Sequence, residues 1–223
     1  MKGILLAAAL LACCGAGRAE LPLPAEGWAS WEVQVHEGTE YRCCLQWRRK
    51  PASYVSCDLD GSDDGYGSMG HEASVSTMRV YARFAGGKLD KLRAFAPACE
   101  VTTRTPIRDL GVVPAEESAR WISTQVTTAG KRVLDDALLT LAVHRGSETR
   151  LLALATKNSD RRIRKQSIFA LSQLPPELAA RALASIAGDA SLPREDRKEA
   201  IFWMGQVDSP YAAAYMDKLL GAK

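Results

Sequence analysis

The chain has 223 residues, 47% of them hydrophobic and 25% charged, which describes a folded globular protein and excludes global disorder. That length allows one large or two modest domains. The formal charge is +3, and setting Lys2 and Arg18 aside with the leader leaves 27 basic against 26 acidic side chains, a balance without the footprint of a nucleic-acid binder.

Residues 1–19 have the parts of a secretory signal peptide: Lys2, the apolar run 4–12, and the small-residue stretch 15–19, with cleavage expected after Ala19. Nine apolar residues are too few to span a bilayer, which takes about 20, so no transmembrane helix is expected. The expected location is periplasmic or secreted. The alternative is a membrane-anchored lipoprotein, because Leu10-Leu11-Ala12-Cys13 also has the form of a lipobox with Cys13 as the lipid anchor.

Residues 20–27 read as a flexible leader containing Pro22 and Pro24. A disulfide-linked, β-rich domain is expected over 28–128. Residues 31–36 alternate apolar and polar, and a turn at Gly38 leads to 41–47, so the two read as paired strands. Further strands are expected over 54–59, 75–84 and 88–95, the last two joined at Gly86-Gly87, where a tight hairpin needs positive φ. The sum is an antiparallel sheet of about five strands, closed by a short helix over 115–126 carrying Trp121.

Four cysteines fall in this domain: Cys43, Cys44, Cys57 and Cys99. An even number in an exported chain predicts disulfides. Cys43 and Cys44 are neighbours in a strand, so their side chains leave on opposite faces and a bond between them would be strained. Each is therefore expected to pair separately with Cys57 or Cys99, each cross-link contributing about 2 to 4 kcal/mol. The spacing C-C-x12-C-x41-C lacks the paired C-x-x-C knuckles of a zinc site.

From 129 to 223 the apolar period changes from two to three and four. Helices are expected over 131–145, 148–157, 160–174, 176–188, 194–207 and 210–221, as three helix pairs. Asp160, Pro175-Pro176, Pro193 and Ser209-Pro210 stand at or near their starts. The helices repeat one another: 137–141 (ALLTL) matches 167–171 (SIFAL) at an offset of 30 and 200–204 (AIFWM) at an offset of 63. The closest pair is 164–173 (RKQSIFALSQ) and 197–206 (RKEAIFWMGQ).

The D-x-R-x-R string from Asp160 and the string AIFWMGQ at 200–206 resemble bacterial HEAT-like repeats over the last 90 or so residues. The first unit departs from the pattern, because it lacks the Asp-Arg-Arg start. The resemblance implies a short α-α solenoid for these residues, which with the small antiparallel β-rich domain read from the strand periodicity makes the expected fold class α+β. It further implies a protein-binding surface rather than a reaction. Ile168, Phe169 and Leu171, with Ile201, Phe202 and Met204, are expected to be knobs between successive helices, so removing Phe202 should cost roughly 3 to 5 kcal/mol. The second helices carry small-residue runs at 151–155, 182–187 and 211–215. In HEAT-like arrays those helices line the concave face, where a protein partner is expected.

No catalytic residue and no cofactor are expected, and two alternatives define the tests. Asp58, Asp60, Asp63 and Asp64 could gather oxygens around calcium, making a calcium-dependent binding protein. With Asp60 as first ligand, Asp64 and Gly65 fall where an EF-hand loop wants them, but the twelfth position is His71 rather than glutamate and no helices flank the loop. A solvated acidic turn is the preferred reading. The second alternative is a hydrolase with an unrecognised site in the N-terminal domain, using Ser68 or His71.

Against the hydrolase, Ser68 lacks the G-x-S-x-G frame, and His36, His71 and His144 lie far apart in the chain. His36 falls in a strand. His144 ends a helix, where a cation would suit the dipole. Residues 65–70 fit G-x-G-x-x-G without the βαβ unit that dinucleotide binding requires, and read as an irregular loop. The basic cluster 161–165 reads as a solvated face, or as a dock for an acidic partner. The expectation is an exported, non-catalytic protein-binding or scaffold module.

Overall fold

The computed structural model describes residues 21–46, 53–61, 66–67, 74–128 and 130–221. A sheet-rich region comes first, with strands β1 (Gly27–Gln34), β2 (Cys43–Gln46), β3 (Ser53–Val55), β4 (Cys57–Asp58), β5 (Tyr66–Gly67), β6 (Thr77–Ala85), β7 (Lys88–Phe95), β8 (Val101–Thr102) and β9 (Ile107–Val112). Seven helices follow: α1 (Ala115–Val126), α2 (Lys131–Val143), α3 (Glu148–Lys157), α4 (Arg161–Leu171), α5 (Pro176–Gly188), α6 (Arg194–Met204) and α7 (Pro210–Leu220).

The strands do not form one antiparallel sheet. The main sheet runs β7-β6-β1-β9, while β3-β2-β5 and β4-β8 form two small sheets. β1 turns away from β2 and lies antiparallel to β6 along its whole length, from Gly27 opposite Phe84 to Gln34 opposite Thr77. Its other edge takes β9 in parallel, with a bulge between Ser30 and Glu32. The hairpin expected at Gly38 is thus replaced by long-range pairing, because β1 and β6 offer matching apolar positions over eight residues and β2 has only four. The β6–β7 hairpin stands as expected, with φ of 57° and 70° at Gly86 and Gly87.

Strand alternation divides the buried side chains between two cores. Ala29, Trp31 and Val33 of β1, Met78, Val80 and Ala82 of β6, and Leu92 and Ala94 of β7 face the helices. Trp28, Tyr81 and Phe95 face the other way, into a small lobe with Leu59 and the cysteines. There Cys43 is bonded to Cys99 and Cys44 to Cys57, so the two neighbouring cysteines do take separate partners.

The helix-facing core does not stop at residue 128. Ile122 and Val126 of α1 and Leu134, Leu138 and Leu141 of α2 join it, and it continues through Ile168 and Leu183 to Ala212. Trp31 meets the Trp121 ring edge-on at 5.5 Å. The helix starts carry their caps: the Asp160 side chain accepts from the Arg162 amide, and Ser209 accepts from the amides of Tyr211 and Ala212.

Successive contacts link α2 to α4 to α6, and α3 to α5 to α7. The most extensive packing is of α3 on α4 and of α5 on α6, across the loops that separate the units marked out in the sequence. Equivalent positions share one fate, since Ala137, Ser167 and Ala200 are all fully buried. The knob assignment fails at two positions: Phe169 is half-buried and Phe202 is 58% exposed. Phe202 lies about 200° round the helix from Ala200, so its ring points away from the core and the expected core-deletion cost does not apply to it.

Candidate functional site

The seam between sheet and helices holds a buried polar network. The Val35–His144 bridge joins the end of β1 to the end of α2, the His36 amide donates to the Val143 carbonyl, and the Arg145 amide donates to the Gln34 carbonyl. Two serine–histidine pairs sit beside this junction.

In the first, the Trp31 indole donates to Ser118 Oγ at 2.8 Å, and Ser118 Oγ lies 2.8 Å from His144 Nε2. His144 Nδ1 is 2.7 Å from the Thr140 carbonyl, which can only accept, so Nδ1 carries the proton and Nε2 accepts from the serine hydroxyl. Burial pushes the His144 pKa down to about 4 against the raising effect of the Thr140 bond, so the ring is neutral near pH 7. The expected cation at the end of α2 is therefore an uncharged ring that closes the helix by hydrogen bonding. Ser118 and His144 have no exposed surface, and the geometry of a nucleophile and its base serves here to lock β1, α1 and α2 together.

In the second pair, His36 Nε2 lies 3.4 Å from Ser147 Oγ and 4.0 Å from Glu148 Oε2. Burial lowers the His36 pKa; Glu148 opposes this and Arg145 adds to it. Serine and carboxylate approach the same ring nitrogen, whereas a catalytic triad sets them on opposite nitrogens. His36 stands just beyond β1 and lines a cleft of about 590 Å³ with Ser76, Arg145, Pro175 and Leu178. A second hollow, about 660 Å³, lies between α1 and α3 and is lined by Glu116, Ser123, Arg150, Leu154 and Lys157, with the Arg150–Glu116 ion pair across it.

The acidic turn is wired differently. Asp60 accepts from the Arg104 amide at 2.6 Å, Thr103 Oγ1 at 2.9 Å and the Trp28 indole at 3.0 Å, with Arg83 3.8 Å away. These bonds, the Arg104 amide first, hold its pKa down at about 2. Asp58 accepts from the Asp60 amide, and Lys91 Nζ donates to the Gly61 carbonyl at 2.8 Å. Both oxygens of Asp60 thus have protein donors, and an ammonium occupies the carbonyl side of the turn.

Asp63, Asp64, Ser68 and His71 lie outside the described residues, as does all of the glycine-rich string except Tyr66 and Gly67 of β5. Among the described residues, no three His, Cys, Asp or Glu side chains converge as a metal site, and no helix is long and apolar enough to cross a membrane.

The basic cluster 161–165 is largely paired. Arg162 meets Asp160, Arg164 meets Asp196 of α6, and Lys165 meets Glu199 of α6. Sequence reasoning missed Ser118, Trp31, Ser147 and Glu148 as partners of the histidines. A helical serine 26 residues before His144 carries no local mark of that role. No family model matches the chain, and no curated protein matches it.

Proposed function

We propose that this chain is an exported protein-binding or scaffold module whose contact surface is its helical half, built as a short HEAT-like α-α solenoid. One observation carries the reading. Ala137, Ser167 and Ala200, with Leu141, Leu171 and Met204, are buried at repeat-equivalent positions along α2, α4 and α6, which supports a repeating stack. Such a stack presents the outer sides of α3, α5 and α7 as one continuous face. Two disulfides support a location outside the cytoplasm. The fully buried Ser118–His144 pair acts as a structural tie between β1, α1 and α2, which supports a binding rather than a catalytic reading of it.

The test places photo-reactive residues at the exposed positions Thr149, Ser185 and Ala214 on α3, α5 and α7, with Lys88 and Arg108 on the sheet as controls. Irradiation in an envelope extract should give a defined adduct from the helical positions only. Adducts from the sheet positions alone, or none at all, would remove the proposal.

A further inference from the structure

The internal repeat supplies a template for what the outer end of the helical rows would accept. On α4, Arg164 Nε is 2.7 Å from Asp196 Oδ2 of α6, and Arg164 Nη1 donates to the carbonyls of Asn158 and Ser159, both at 3.1 Å. Ile168, one turn on and on the same stripe, is fully buried. A shift of 33 residues carries Arg164 onto Arg197 and Ile168 onto Ile201.

At that second position the surroundings differ. Arg197 Nε is buried with no hydrogen-bond partner, and Ile201 is only half-buried. The neighbouring carboxylate, Asp189, accepts from the Ser191 amide at 2.9 Å and the Ser191 hydroxyl at 2.6 Å, and the Arg197 charge acts on it only from a distance, as the last of the causes that lower its pKa. Arg194 shares the stripe, three residues before Arg197.

α7 packs on α5, as α6 does. Its Tyr211 ring is turned to α5, 4.9 Å from the Arg181 guanidinium, and Ser209 at its start donates to Glu177 of α5. Ala213, Met216 and Leu220 recur at i, i+3 and i+7 on the side away from Tyr211 and Tyr215. Ala213 is exposed, Met216 is partly exposed, and Leu220 is 76% exposed. Ile201 and Met216 rest partly buried against the helix-facing core, which leaves the outer part of each, with Arg194 and Leu220, open on this mixed basic and apolar face.

We propose that the outer face of α6 and α7 docks a helix of an acidic partner protein. The helix would carry a carboxylate, a small residue four positions later and a large apolar residue four beyond that. This is the pattern Asp196, Ala200, Met204 that α6 itself buries, with Asp196 reaching back to Arg164. The carboxylate answers Arg197 as Asp196 answers Arg164, and the apolar positions cover Ile201 and Leu220. A second copy of the chain fits less well, because a two-fold contact through this face would gather Arg194 and Arg197 of both copies in one interface, which like-charge repulsion disfavours. The inference rests on the binding-module reading and gives it a location.

The probe is a fluorescent, helix-stapled peptide with the sequence of residues 190–207, titrated with the mature chain and followed by anisotropy. Saturable binding is expected. Arg197→Glu or Ile201→Asp in the protein should weaken it by about tenfold or more, and Phe202→Ala, on another side of α6, should leave it unchanged. Asp196→Arg in the peptide should weaken binding to the unaltered protein and restore it to the Arg197→Glu variant, a comparison that holds even if Ile201→Asp fails to fold.

Absence of saturable binding, or binding indifferent to both Arg197→Glu and the peptide change, overturns the proposal. A concentration-dependent dimer that Arg197→Glu tightens would give the face to a second copy and overturn it too. Photo-adducts at Thr149 and Ser185 without peptide binding would remove this face alone and leave the module standing.

Discussion

The two cores on either side of the main sheet are held by different means. Among the described residues the stapled lobe buries eight side chains and the helix-facing core buries 37. At about 1.5 to 3 kcal/mol for each large apolar side chain, the continuous cluster of 37 contributes several times what the cluster of eight does. The lobe's strands are two to four residues long, and its cross-links substitute for the ladder and the core it lacks. The lobe should therefore fail by loss of covalent ties, and the helical side by loss of volume.

The largest effect is expected from the cross-links. Cys43–Cys99 closes a separation of 56 residues and Cys44–Cys57 one of 13. Chain-entropy arguments give about 4 and about 3 kcal/mol for these taken singly. Replacing Cys43 and Cys99 by serine should release the lobe in denaturant titrations followed by tyrosine and tryptophan fluorescence, while helical circular dichroism persists. Simultaneous loss of both signals at the lowered midpoint would show that the two cores are one cooperative unit.

On the helical side, Ile168→Ala should cost about 2 to 5 kcal/mol, because the side chain is fully enclosed. Ile201→Ala, at the equivalent but half-buried position, should cost about half as much. Equal losses in chemical denaturation would mean that α6 is covered as fully as α4, which would contradict the open end described above.

Acid separates the cores along a different axis. His144 has an ordinary pKa of 6.5 and a folded value of about 4, so between those values the unfolded chain binds the extra proton. Its contribution is intact above about pH 6.5 and is lost as pH falls towards 4, by about 3 kcal/mol in all. His36 is shifted in the same direction and adds to the loss. Asp60, with a pKa lowered from 3.8 to about 2, weakens the lobe only below about pH 4. A stability curve flat from pH 7 to 4.5 would show that His144 is not buried neutral. Ser118→Ala, which strips the Trp31 indole and His144 Nε2 of their shared partner, should cost about 1 to 3 kcal/mol at neutral pH.

How much of this was legible follows from how local each signal is. The seven helices could be placed because their period and the caps at Asp160, Ser209 and Pro210 act within a few residues. β6 and β7 were legible for the same reason, with Gly86-Gly87 between them. Pairing was not, because the partner of β1 is chosen by the match of whole strands, and the parallel edge strand β9 carries Asp109 and Gly111 in a bulged, exposed run that looks like a loop. The separate partners of Cys43 and Cys44 could be read from opposite-facing neighbours; which partner each takes depends on folding. The histidine network left no trace, because its members converge from β1, α1, α2 and the loop after α2.

The smallest effect is the most direct check on helix phase. The repeated Ile-Phe pair at 168–169 and 201–202 suggests two buried residues per helix, yet neighbours on a helix stand about 100° apart, and that step carries Phe169 and Phe202 beyond the buried arc. The pair therefore divides, with Ile168 enclosed, Ile201 half-buried at the edge of the core, and Phe169 and Phe202 rotated outward. Phe202 keeps one aromatic neighbour, Trp203, with ring centroids 5.0 Å apart and edge to face, and Trp203 in turn rests on Phe169 at 4.7 Å. Phe202→Ala should cost about 1 kcal/mol or less, the worth of an exposed aromatic pair, well below the value for an enclosed phenylalanine. A measured loss of about 3 kcal/mol or more would put the ring in a packed interface and require a different rotation of α6, and that rotation would also withdraw Arg197 and Ile201 from the face assigned to a partner.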